Sequence, residues 1–204
     1  TDYMVEATKE NYLAGKGKET TKGIEESKEF KMELLLRPAK KGDVYELPNI
    51  YYDFAKASLR PESMVSLDKL YELLNENQNI TIELSAHTDF RGKDETNMKL
   101  SQARADSVVA YLIKKGIEKE RLVSVGYGES KPQMVGKKMA EKYPGFLQEG
   151  QVLSEEFIKG LSTVEEQEVA HQINRRTEMK ILSTDYQPKP KSQAPGGTDE
   201  VQPE

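Results

Sequence analysis

Cysteine is absent from all 204 residues, which removes a disulfide framework, a thiol nucleophile and any Cys-based zinc site. That absence suits either redox compartment and leaves location open. There are two histidines, His87 and His171, too few for a His-rich metal centre or a proton relay. No stretch approaches the ~18 consecutive apolar residues of a membrane-spanning helix. No basic region followed by an apolar one opens the chain, so no secretory leader is read there. A start at Thr1 instead reads as a mature or truncated piece. An excess of positive charge is lacking too: the net charge of -5 argues against a nucleic-acid partner.

What remains is a polar chain, 36% hydrophobic and 32% charged, long enough for one domain of ordinary size with extensions. Residues 1–46 are rich in lysine and glutamate, with Gly15, Gly17 and Gly23 interrupting any helical pattern. Two pieces there suggest strands, Asp2 to Thr8 and Phe30 to Leu36, the second alternating Met32, Leu34 and Leu36. They read as the tail of a preceding β-domain, with Arg37 to Leu47 as a linker.

A second unit follows from residue 47 to 183. Ile50 to Phe54 (IYYDF) is a strand by composition. Pro61 suits a first helical turn, and Met64, Leu67, Tyr71 and Leu74 then repeat at three- and four-residue steps up to Asn75–Asn79. Ile80 to Ser85 alternates apolar and polar residues, a strand with one buried face. A helix is expected from Asp94 or Thr96, either of which can cap it, to Gly116. Arg121 to Tyr127 and Arg176 to Leu182 are further strands. The proline- and glycine-bearing stretch 132–173, too long for an ordinary connection, reads as a partly helical excursion. The fold class is therefore α/β, a βαβαββ-type mixed sheet packed with helices and carrying that insertion. Residues 184–204 are rich in Pro, Gly and charge and are expected to be disordered.

The chain turns on the junction between the strand at Ile80 and the helix near Asn97. At 100° per residue, Met98, Ala105, Val109 and Leu112 form the expected core arc. Asn97 and Arg104, seven positions apart, lie within ~20° of each other at its border. Helical side chains lean toward the N-terminus, so Arg104 reaches back toward the loop that carries Asp89. A carboxylate and a guanidinium together suit a ligand bearing both an amine and a carboxylate. From spacing alone, the same two charges also suit a plain structural salt bridge. His87-Thr88-Asp89 as a metal fragment is a poor alternative without Cys partners. Asp89 to Glu95 lacks the ligand spacing of an EF-hand. The Asn174-Arg175-Arg176 triplet reads, on spacing, as a solvated strand entry.

These residues resemble the OmpA-like C-terminal domain, the peptidoglycan-binding module of Gram-negative envelope proteins. The pieces appear in family order: IYYDF at Ile50, SAHTDFRG at Ser85, NMKLSQARADSVVAYL at Asn97, GIEKERLVSVGYGESKP at Gly116 and NRRTE at Asn174. The fragment before Leu47 resembles the end of a carboxypeptidase-regulatory-like β-domain. The OmpA-like resemblance implies non-covalent binding of the peptidoglycan peptide stem through meso-diaminopimelate. It implies that Asp89 meets the amine and Arg104 the carboxylate, with Asn97 and Arg175 as further contacts and Thr88 and Phe90 offering backbone groups.

The same resemblance implies no cofactor. It implies a periplasmic wall anchor, outer-membrane-associated through parts of the protein outside this chain, for an envelope assembly such as a secretion machine. A stator-like scaffold of a membrane motor is the alternative. A wall-cutting hydrolase requires a carboxylate pair or a metal centre, and Asp89 has no evident second acid, so no catalysis is expected.

Overall fold

A computed structural model describes residues 1–9, 12–24, 26 and 28–189. The main sheet has four strands in the order β3-β6-β4-β5, with β3 at Val44–Glu46, β4 at Thr81–His87, β5 at Leu122–Gly128 and β6 at Thr177–Ser183. β4 and β5 run parallel, joined through α2 (Asp94–Lys115). β6 is antiparallel to both β3 and β4 and fills the slot between them. With α1 at Met64–Glu76, the chain follows the expected βαβαββ order.

Alternation along β4 explains the layering. Ile82, Leu84 and Ala86 point one way and are buried. Leu67, Leu70 and Leu74 of α1 and Val108 and Leu112 of α2 close over that face, joined by Met179 and Ile181 of β6. Each such leucine contributes roughly 1.5–3 kcal/mol by leaving water. Pro61 opens the short turn before α1, as expected, and Gly116 ends α2 at φ 107°, a left-handed conformation that favours glycine.

Helix α2 sits unusually near β5. A Cβ on Gly126 would lie 2.2 Å from the Gln102 backbone nitrogen, so only glycine permits that approach. Two bonds fasten it: Gly126 N donates to Gln102 Oε1 and Gly128 N to Ser101 Oγ, each at 2.8 Å. This rotates the helix from the expected arc. Asn97, Ser101, Ala105, Val108 and Leu112 face inward, whereas Met98 is 44% exposed. Neither expected cap acts either: α2 begins at Asp94, Lys93 precedes it and no side chain caps it.

The first strand lies elsewhere than its composition suggests. Ile50 to Phe54 forms no strand; Tyr52 makes an isolated bridge to Leu59, and Asp53 N and Arg60 N bond across the loop. The strand is Val44–Glu46, inside the presumed linker. Leu47 N bonds to Thr177 O, and the chain then turns at Asn49 (φ 60°), which carries the aromatic run off the sheet edge.

The N-terminal hairpin also differs. β1 (Asp2–Ala7) is where expected, but it pairs with β2 (Gly15–Thr20) rather than with residues 30–36, which form no strand. Gly15 and Gly17 lie within β2 because Met32, Leu34 and Leu36 lie across them in the space a Cβ would fill. Leu13 and Ala39 reach the main core, and Ala14 N donates to Asn77 Oδ1 at 2.8 Å.

The excursion is an ordered unit with three helices, α3 (Lys137–Lys142), α4 (Glu155–Lys159) and α5 (Val164–Asn174). Val135, Leu147, Leu153, Ile158 and Ala170 form its own core. Thr163 and Glu166 close a capping box at the start of α5. Of the expected disordered tail, 184–189 is described and docked: Tyr186 N bonds to Asn79 O and Tyr186 Oη donates to Glu118. Residues 190–204 lie outside the described residues.

Candidate functional site

Because β6 enters antiparallel beside β4, its first residues lie against the last residues of β4; Ala86 pairs with Thr177. His87 N then bonds to Arg176 O, and Thr88 N to Gly128 O. The 50–60 loop, the start of α2 and helix α5 rise around this strand end. They enclose a cleft of about 850 Å³ whose lining includes Tyr52, Thr88, Asp89, Asn97, Arg104 and Arg175.

Asp89 lies in this cleft, 6% exposed. Its Oδ1 accepts from Arg91 N at 3.0 Å. Its Oδ2 accepts from Arg91 Nε at 3.1 Å, from Arg91 Nη2 at 2.7 Å and from Arg175 Nη1. Burial works to raise its pKa, but the hydrogen bonds from Arg91 and Arg175 outweigh it and hold the carboxyl below its ordinary value. Asp89 is a buried anion at neutral pH.

Arg104 is placed differently. Its Nε donates to Lys56 O at 3.1 Å, and its guanidinium lies 4.8 Å from the Tyr52 ring centroid. Among the described residues no carboxylate pairs with it, so the two charges do not form the salt bridge that spacing alone allowed. Burial is the largest influence on Arg104 and lowers its pKa, with the facing Tyr52 acting the other way. The guanidinium remains charged, since arginine is never neutral near pH 7. An unpaired, partly desolvated cation in a cleft is a receptor for an anion.

The remaining expected residues divide by role. Asn97 is buried, and its Nδ2 donates to Asp89 O and Arg91 O, each at 3.2 Å, and to Glu129 Oε2 at 2.6 Å. It clamps the loop that presents Asp89. Arg175 ties Asp89 to α5, donating also to Glu168 Oε1 at 2.8 Å and Gln172 Oε1 at 2.6 Å. Thr88 is buried in the cleft with its hydroxyl unpartnered among the described residues. The Phe90 side chain turns away into the core of the excursion and packs on His171, ring centroids 4.8 Å apart.

Residues 51–143 match the OmpA family model. Over that stretch the chain is similar to the OmpA family. The chain is 37% identical over 103 residues to a peptidoglycan-associated lipoprotein of Buchnera aphidicola, covering 50% of this chain and 57% of that one. It is 38% identical over 109 residues to photosystem I P700 chlorophyll a apoprotein A2 of Gloeobacter violaceus, covering 53% of this chain but 12% of that one. The chain therefore spans only part of the relatives it matches. A solved peptidoglycan-associated lipoprotein from Burkholderia pseudomallei is 20% identical, with TM-score 0.43, covering 65% of this chain and 86% of that one.

The OmpA family stretch contains Asp89, Asn97 and Arg104 but ends before α5. The excursion's last helix thus completes the cleft with residues that sequence reasoning passed over. Glu168 accepts from Arg91 Nη1 at 2.8 Å. His171, 6% exposed, places Nδ1 3.7 Å from Asp89 Oδ2; burial and the charge of Arg91 push its pKa down. Arg91 stands within SAHTDFRG, and sequence reasoning gave it no role. Its spacing of two from Asp89 is the one local signal, since a side chain there folds back onto the same turn.

Behind the cleft floor, His87 is buried and stacks on Tyr127, ring centroids 5.3 Å apart. Its Nε2 lies 3.2 Å from Glu178 Oε2 without hydrogen-bond alignment. Among the described residues no group of three or more His, Asp or Glu is placed to hold a metal ion. No helix there is long and apolar enough to cross a membrane.

Proposed function

We propose that this domain binds peptidoglycan non-covalently and without turnover, anchoring an envelope assembly to the cell wall. The ligand is the meso-diaminopimelate of the peptide stem, whose free end carries an ammonium and a carboxylate on one carbon. Asp89 takes the ammonium and the Arg104 fork takes the carboxylate. The observation that carries this reading is the state of Arg104: a charged guanidinium lining the cleft, backed by Tyr52 and without a carboxylate partner, in the same cleft as the buried Asp89 anion.

Asn97 and Arg175 hold Asp89 in place rather than seizing ligand themselves. The site lies in the periplasm in this reading, with attachment to the outer membrane supplied outside this chain. Relatives point the same way: one is named a peptidoglycan-associated lipoprotein. The test is cosedimentation with purified, protein-free sacculi, followed by analysis of the supernatant. The protein should pellet with the sacculi and leave no soluble fragments after prolonged incubation. Fragment release would point to hydrolysis instead, and failure to pellet would remove the wall as ligand.

A further inference from the structure

The Asp89 carboxylate is held by two arginines. A carboxylate offers about four lone-pair sites. Arg91 fills three with its backbone N, Nε and Nη2, and Arg175 takes another with Nη1. Oδ2 carries three of these donors and Oδ1 one, and the side chain is 8% exposed, so an ammonium that takes Oδ2 has to displace a guanidinium.

The two arginines are not equally held. Arg175 is 26% exposed at its side chain and also binds Glu168 and Gln172. Arg91 is 50% exposed, and its one other side-chain partner among the described residues is the exposed Glu168. Arg91 also precedes Gly92, whose φ of 112° gives that turn a glycine-only conformation. Glu168 stays within reach once Asp89 is released, so the departing charge is not stranded.

We propose that Arg91 is an internal competitor for the ligand ammonium, a guanidinium that rests on Asp89 and Glu168 together and lets go of Asp89, keeping Glu168, when ligand binds. This rests on the reading of Asp89 as the ammonium acceptor. The exchange at Asp89 is close to balanced, one charge-assisted hydrogen-bonded cation replacing another. Net affinity then comes from the second end of the ligand, the carboxylate that Arg104 receives. The competition weakens every ammonium ligand by the same factor. It leaves their ratio alone but puts amine-only ligands, such as a lysine-bearing stem, below useful occupancy.

The experiment compares two muropeptides that differ only in carrying meso-diaminopimelate or lysine, titrated against the full chain. Arg91→Gln should tighten both by about tenfold, with their ratio unchanged, and bring the lysine ligand into measurable range; tenfold corresponds to about 1.4 kcal/mol. Arg91→Lys, which restores a competing cation, should return affinities toward those of the wild type. In the wild type, the Arg91 Nε–H resonance should shift on saturation with the diaminopimelate ligand. Unchanged or weaker binding by Arg91→Gln, or an unmoved Arg91 resonance, would overturn the proposal. Arg104→Ala separates the two ideas: it should abolish the preference for diaminopimelate over lysine whether or not Arg91 competes. A wild type that binds neither muropeptide would overturn the underlying reading and this inference with it.

Discussion

Arg175 donates to Asp89 across 86 positions of sequence, from the end of α5 to the loop after β4. That bond and the one from Arg91 to Glu168 join the last helix of the excursion to the loop after β4 at the candidate site. They exist because β6 slots between β3 and β4 and returns its first residues to the end of β4. The excursion is therefore one wall of the cleft as well as a connection.

The first prediction follows from that bond. Arg175→Ala leaves Arg91 as the one arginine on Asp89 and removes one of two ties between α5 and the loop, the Arg91–Glu168 bond being the other. The variant should stay folded, lose roughly 1–3 kcal/mol of stability through the broken charged hydrogen bonds, and bind muropeptide less tightly. Urea denaturation with binding measured alongside checks both. Unchanged stability and affinity together would show that the bond has no consequence.

Acid should weaken the fold through the His87–Glu178 region. The Glu178 carboxyl is lowered to about 2 against an ordinary 4.5. Burial opposes that lowering, but His87 and Arg176 outweigh it, and Arg176 stays charged at 2.6 Å even when His87 is neutral. A depressed carboxyl stabilises the fold fully above pH 4.5, and that contribution fades as pH falls toward 2. A tenfold change in proton affinity is worth about 1.4 kcal/mol, so up to about 3 kcal/mol is at stake. Burial also lowers His87, so its loss begins earlier, as the unfolded histidine protonates below about pH 6.5. Both run the same way. Glu178→Gln should flatten the pH dependence of the melting temperature between 4.5 and 2, and an unchanged slope would contradict the assignment.

Gly126→Ala should be more damaging than most surface substitutions. Its methyl group meets the Gln102 backbone at 2.2 Å, so α2 must shift off β5 rather than a side chain rotating away. Overpacking of this kind typically costs about 1–3 kcal/mol. Thermal denaturation should show a lower melting temperature. Muropeptide affinity should also fall, since α2 carries both Asn97 and Arg104.

Leu153→Ala tests whether the excursion folds as a unit. Leu153 is fully buried in its separate core, and its carbonyl accepts from Asn174 Nδ2 at 2.8 Å, one residue before Arg175. Truncation should cost roughly 2–5 kcal/mol. Hydrogen exchange should quicken first in α4 and α5, with β4 and β5 protected longest. Uniform loss of protection would mean that the two cores are one cooperative unit.

The legible parts of the sequence were those with local periodicity. Ile80, Ile82 and Leu84 announced β4 by alternation, and Met64, Leu67, Tyr71 and Leu74 announced α1. The three-residue β3 was too short to show a period, and the aromatic IYYDF run drew the strand away from it. Gly15 and Gly17 read as breakers because nothing local reveals the side chains of Met32, Leu34 and Leu36 lying over them. At the site, Asp89 and Arg104 were legible from motif and helix geometry. Glu168 and His171 were not, because only the β6 return brings α5 beside residue 89. Met98 was assigned inward by a regular 100° step, whereas the backbone approach at Gly126 turns Asn97 inward instead.

The most direct measurement is calorimetric titration of a meso-diaminopimelate muropeptide against the wild type, Asp89→Ala and Arg104→Ala, with circular dichroism of each. Each change should weaken binding by at least about 30-fold, some 2 kcal/mol, while the spectrum stays that of the wild type. Wild-type affinity in both folded variants would contradict the account.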